Sequence, residues 1–187
     1  MRQMSTAARI TRHKLELAMA RSSRPSFSAP VLAELEAAGW TPDRSIDIPA
    51  WIEELEPQGY RLSEPAGAAL RSFGGLEFGP INRTGPNFSN DEPFNIDPIL
   101  AGSGHYALAE ELEREIGGSW FPLGEWLSHS SVFISDRGRV VATGLGWIWD
   151  VGSSMEDAIE FALMAHRPLR CLKALSPGAK PWPPEES

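Results

Sequence analysis

The chain has 187 residues, 42% of them hydrophobic and 22% charged, with a formal net charge of −8 at pH 7. That length fits one domain with trimmings and can bury about two-thirds of its unfolded surface, so no disulfide or metal staple is required. Its one cysteine, Cys171, cannot build an internal disulfide or a multi-thiolate metal site, which points to a reducing compartment.

Taken in chain order, residues 1–24 carry six Lys/Arg against the single acid Glu16, a net of +5, leaving −13 on the remainder. An acidic body repels the phosphate backbone of nucleic acid, whose binding needs cationic side chains, and attracts basic proteins. The basic opening has Leu15, Ala18 and Met19 at helical spacing but no continuous apolar core of a secretory signal. No apolar run in the chain approaches the roughly 18 residues of a membrane span. A cytoplasmic protein is expected, with residues 1–26 a flexible basic extension, 27–166 the folded domain and 167–187 a proline-rich tail.

The domain opens with Phe27. Ser28 suits an N-cap, Pro30 a first helical turn and Gly39 a helix stop, with Val31, Leu32 and Leu35 on one face. Ile48, Trp51, Ile52 and Leu55 repeat at i, i+3, i+4 and i+7, and Ala66, Ala69, Leu70 and Phe73 follow the same pattern after Ser63. Three short helices therefore run into a strand at Leu76-Glu77-Phe78. The polar stretch Gly79–Pro93 reads as a long loop, of the sort that is often functional or disordered. Its two sequons, at Asn82 and Asn87, read as chance matches in the absence of a secretion signal. Phe94–Asp97 reads as a strand and Tyr106–Ile116 as a helix.

The second half reads as a sheet. Trp120–Leu123 contains Pro122, which suggests an edge strand. Ser131–Ser135 and Arg139–Thr143 flank the turn Asp136-Arg137-Gly138 as a hairpin. Gly144-Leu145-Gly146 reads as a bulge or kink, and Trp147–Val151 as the next strand. Ser153 and Glu156 stand at capping-box spacing before a last helix. Trp147 and Trp149, two apart, share a face that is either core or a binding platform, with Asp150 opposite.

Signatures of chemistry are missing from the string: it has no H-E-x-x-H, G-x-S-x-G or Walker loop. His129, between Ser128 and Ser130, is the one histidine that could be drawn as a general base. Strand neighbours point to opposite faces, however, and no local partner orients its ring. Glu53-Glu54-Glu56 and Glu110-Glu111-Glu113 read as solvated helix faces. No catalytic residue, cofactor or metal site is assigned.

The succession Phe27-Ser28, Gly39-Trp40, Pro42-Asp43-Arg44, Asp47, Trp51 and Phe73-Gly74-Gly75-Leu76 resembles the SUKH-3 branch of the SUKH immunity proteins. It continues through Phe94, Asp97-Pro98, Phe121-Pro122-Leu123-Gly124-Glu125, Ile134, Asp136 to Val140 and Glu156-Asp157-Ala158. The resemblance spans about Phe27 to Ala165. It implies an α+β fold, with helices packed on a mixed, mostly antiparallel sheet. It also implies a cytoplasmic role in neutralising a bacterial polymorphic toxin, often a nuclease or nucleic-acid deaminase, by binding. A basic toxin suits the acidic body. Candidate partner-binding residues are Glu77, Asp91, Glu92, Trp147, Trp149 and Asp150. The rival readings are an adaptor or regulatory interaction module of the same fold, and an enzyme built around His129.

Overall fold

The computed structural model describes residues 27–127 and 129–184; the expected N-terminal extension lies outside the described residues. The three expected helices are α1 (Ala29–Ala37), α2 (Pro49–Leu55, prolonged by a 3-10 turn at Glu56–Gln58) and α3 (Glu64–Phe73). Each opens with a proline in its first two residues, where a missing N–H costs no helical bond. The Ser63 hydroxyl caps α3 by accepting from the Ala66 N–H at 3.4 Å. Ser28 holds the equivalent place before α1 but does not cap it. Its N–H donates to Glu160 Oε2 at 3.2 Å, and its hydroxyl is buried without a partner among the described residues. At the far end of α3, Arg44 donates to the Ser72 and Gly74 carbonyls at 2.7 and 2.8 Å. Burial lowers the pKa of that guanidinium from its ordinary value. Trp40, just after Gly39, stacks on Phe73 at 5.8 Å and is buried in the core.

Seven strands follow: β1 (Glu77–Phe78), β2 (Phe94–Asn95), β3 (Trp120–Trp126), β4 (Ser130–Ser135), β5 (Val140–Gly144), β6 (Trp147–Gly152) and β7 (Arg170–Ala174). They lie in the sheet in chain order, and every neighbouring pair is antiparallel. The class is α+β as expected, with no parallel pair in the sheet among the described residues. Between β2 and β3 come α4 (Pro98–Gly102) and α5 (Tyr106–Ile116); α6 (Met155–Met164) separates β6 from β7. All six residues of the central strand β4 are buried, so both of its faces are covered.

Four local expectations change. First, Pro122 does not mark an edge strand, because β3 is third of seven. Instead β2 meets β3 only at Asn95–Glu125. Beside Pro122 lies α4, close enough that a Cβ on Gly102 would fall 2.5 Å from the proline Cγ. A register shift between Pro122 and Gly124 absorbs the irregularity. Second, Gly144-Leu145-Gly146 is no bulge. Leu145 (φ 52°) and Gly146 (φ 90°) form the two-residue turn between β5 and β6, and positive φ at both central positions suits the primed turns that match strand twist. Third, the cap of α6 sits one residue later than Ser153. The Ser154 hydroxyl accepts from the Asp157 N–H at 3.2 Å, while Asp157 Oδ2 accepts from the Ser153 N–H at 2.8 Å. Fourth, the tail after Pro168 contributes β7. No residue of that strand is fully buried, so it carries no apolar alternation to reveal it.

Candidate functional site

The loop from Gly79 to Pro93 is built into the domain. The last carbonyls of any α-helix lack intrahelical donors, and this loop supplies them to α6. The Ile81 and Asn82 N–H groups donate to Leu163 O at 2.9 and 3.0 Å, and Asn90 Nδ2 donates to Ala162 O at 2.7 Å. Asn90 is fully buried; its Nδ2 also donates to Asn82 O, and its Oδ1 accepts from Trp126 Nε1 at 3.2 Å. Phe88 packs edge-on against Trp126 at 6.0 Å and lies 5.7 Å from Phe161 of α6. Both sequon asparagines have local work: Asn82 Oδ1 accepts from the Thr84 N–H, and the Asn87 amide pairs with both backbone groups of Leu169.

This pinning places the acidic end of the loop. Antiparallel partners stand side by side on one sheet face, and the register pairs Glu77 with Asn95 and Asn95 with Glu125. Two carboxylates thus flank one asparagine across β1, β2 and β3. Glu92 joins them from the loop, its Oε2 accepting from the His129 N–H at 3.2 Å. Glu77, Glu92, Glu125 and His129 line a cleft of about 150 Å³, with Pro93, Asn95 and Trp126 completing its walls. Among the described residues no Lys or Arg forms an ion pair with Glu77, Glu92 or Glu125. Among the described residues the nearest basic group to these carboxylates is His129, whose Nδ1 lies 4.0 Å from Glu125 Oε2 at a ring that is 85% exposed. A cleft with three carboxylates at the end of a sheet offers negative potential to a cation arriving from outside.

Of the sequence candidates, Glu77 and Glu92 meet in this cleft, and the exposed Asp91 lies beside it, next to Asn90. Glu125 and Asn90 were missed. Glu125 lies two residues past the strand expected at Trp120–Leu123, and only the register brings it next to Asn95. The other three candidates sit in β6 and are already engaged. Trp149 is 1% exposed, its indole N–H donating to Trp182 O at 2.6 Å. Trp147 donates likewise to Lys180 O at 3.0 Å, and the three rings cluster with centroids 5.9–6.1 Å apart. The chain's own tail therefore buries Trp149, while Trp147 stays half-buried at a small cleft shared with Leu145 and Trp182. Asp150 Oδ1 accepts from Arg139 Nε and Nη2 at 3.1 and 2.9 Å, so it is not a free acid either.

The geometry gives no support to a serine–histidine pair. His129 stands on a turn with φ 55°, its ring in solvent, whereas the Ser130 hydroxyl is buried against β5 with no hydrogen-bond partner among the described residues. Also among those residues, no group of three or more His, Cys, Asp or Glu is placed to hold a metal ion, and no helix is long and apolar enough to cross a membrane.

A family model described as SUKH-3 immunity protein matches residues 27–164, from the aromatic cluster at Phe27 to the last residue of α6. No curated protein and no solved structure gives a significant match.

Proposed function

The chain belongs to the SUKH-3 immunity protein family, and on that premise we propose that it neutralises a nucleic-acid-acting toxin in the cytoplasm by binding it, without turnover. The observation that carries this reading is the family match from Phe27 to Met164, which takes in all six α-helices and six of the seven strands and leaves out β7. Two features of this chain support the nature of the contact. The body after Arg24 carries a net charge of −13, suited to a nuclease or deaminase whose substrate groove is basic. The carboxylates of Glu77, Glu92 and Glu125 converge in one cleft and take no Lys or Arg ion pair among the described residues, and Asp91 extends that surface.

In such a contact the rim charges govern association rate and salt dependence more than intrinsic affinity. Trp149 would contribute to docking only after displacement of the tail, and Asp150 only after release of Arg139, whereas half-buried Trp147 keeps an edge on the cleft it shares with Leu145 and Trp182. The test is co-expression with the toxin encoded beside this chain. Wild type should form a complex that weakens with salt and should protect the cell. Glu77→Lys with Glu92→Lys should slow association by about tenfold or more, in line with loss of electrostatic steering. A wild-type chain that captures no such toxin, or a double variant that binds and protects like wild type, would overturn the reading.

A further inference from the structure

We propose that the cleft between β6, the start of α6 and the segment leading into β7 binds a small phosphate-bearing anion. Its volume is about 730 Å³, within the range of ordinary small-molecule sites. Three guanidinium groups line it, those of Arg139, Arg167 and Arg170. They are three of the eleven Lys/Arg that follow Arg24 in an otherwise acidic body. Against them stand two carboxylates, Asp150 and Asp157, which leaves the lining with an excess of one positive charge.

Both carboxylates are already engaged. Asp150 Oδ1 takes two hydrogen bonds from Arg139. Asp157 Oδ2 accepts from the Ser153 N–H and hydroxyl, and its Oδ1 lies 3.6 Å from Arg167 Nη2. These contacts fix the guanidinium groups in advance. Arg167 is held further by donating to Val151 O at 2.7 Å and by lying 3.9 Å over the Phe161 ring. The Nη1 groups of Arg139 and Arg167 have no partner among the described residues, and Arg170, across the β6–β7 register from Asp150, has none for any of its five N–H groups. Donors arriving from three elements suit the tetrahedral oxygens of a phosphate better than the single plane of a carboxylate. The space exceeds that of a bare ion, with Pro168 and the buried Leu169 as an apolar wall for an organic body.

This inference is independent of the toxin reading, and its test contains no toxin. Isothermal titration of the full chain at low salt uses pyrophosphate and ATP, with citrate as a phosphate-free polyanion. Saturable binding of either phosphate compound is expected, with shifts in the arginine Nε–Hε resonances of Arg139 and Arg167. Arg170→Glu should weaken binding by about tenfold or more, as loss of charge-assisted bonds implies, while leaving the unfolding midpoint unchanged. Binding that is absent at millimolar ligand, or equal for citrate, or indifferent to both Arg170→Glu and Arg139→Lys, would overturn the assignment.

Discussion

Replacing Asn90 with alanine probes the joint on which the acidic cleft depends. The side chain makes three hydrogen bonds, but they are not equivalent. The one to Asn82 O is partly open to water, since Asn82 is exposed, so its loss can be repaired by solvent. The bonds to Ala162 O and from Trp126 Nε1 are buried. Leaving a buried donor or acceptor unpaired costs about 1–3 kcal/mol each, so Asn90→Ala should destabilise by about 2–4 kcal/mol after some relaxation. With a urea m-value of about 2 kcal/mol/M, the unfolding midpoint should drop by about 1–2 M. Asn82→Ala, as a control at an exposed position, should move it far less. A loss below about 1 kcal/mol in Asn90→Ala, or equal losses in both variants, would show that the loop is held by something other than this asparagine.

Gly124→Ala attacks the same site from the sheet, because a methyl there would overlap the Asn95 carbonyl oxygen of β2. A destabilisation of about 1–3 kcal/mol is expected, with faster amide exchange at Phe94 and Asn95; unchanged exchange would contradict the close approach. Asp157→Asn tests the α6 cap through pH. Burial raises the Asp157 pKa, but the Ser153 N–H and hydroxyl and the Arg167 charge outweigh it, so the folded value lies below the ordinary one. A depressed folded pKa adds stability above the unfolded value of about 3.9 that is lost as pH falls through the folded one. The variant should therefore melt below wild type near neutrality, with the gap closing in acid; a gap independent of pH would refute this.

The contrast between the readable and the unreadable parts follows from range. The α1–α3 succession was legible because Val31/Leu35, Ile48/Leu55 and Ala66/Phe73 repeat at the helical period and end at Gly39, Gly59 and Gly74, all local signals. The β4–β5 hairpin was legible for the same reason, and the family could be recognised from the order of such pieces. Two elements escaped. Five residues of α4 hold too little periodicity to count, and β7 has neither buried face nor alternation.

The candidate site was legible only in part. Glu77 and Glu92 could be suspected from charge, but they are fifteen positions apart in sequence and meet because Asn90 is locked to Ala162, seventy-two residues further on. Glu125 entered through strand register, which a single chain does not disclose. Trp147 and Trp149 illustrate the converse. Their shared face followed from the two-residue period, but whether a partner or the chain itself covers it depended on where Lys180 and Trp182 return. The sequence by itself determined the local periods, the acidic balance and the family. Tertiary structure alone decided which charges gather and which aromatics the chain itself covers, because those outcomes rest on contacts between residues about eighteen to seventy-two positions apart, to which no local preference is tied.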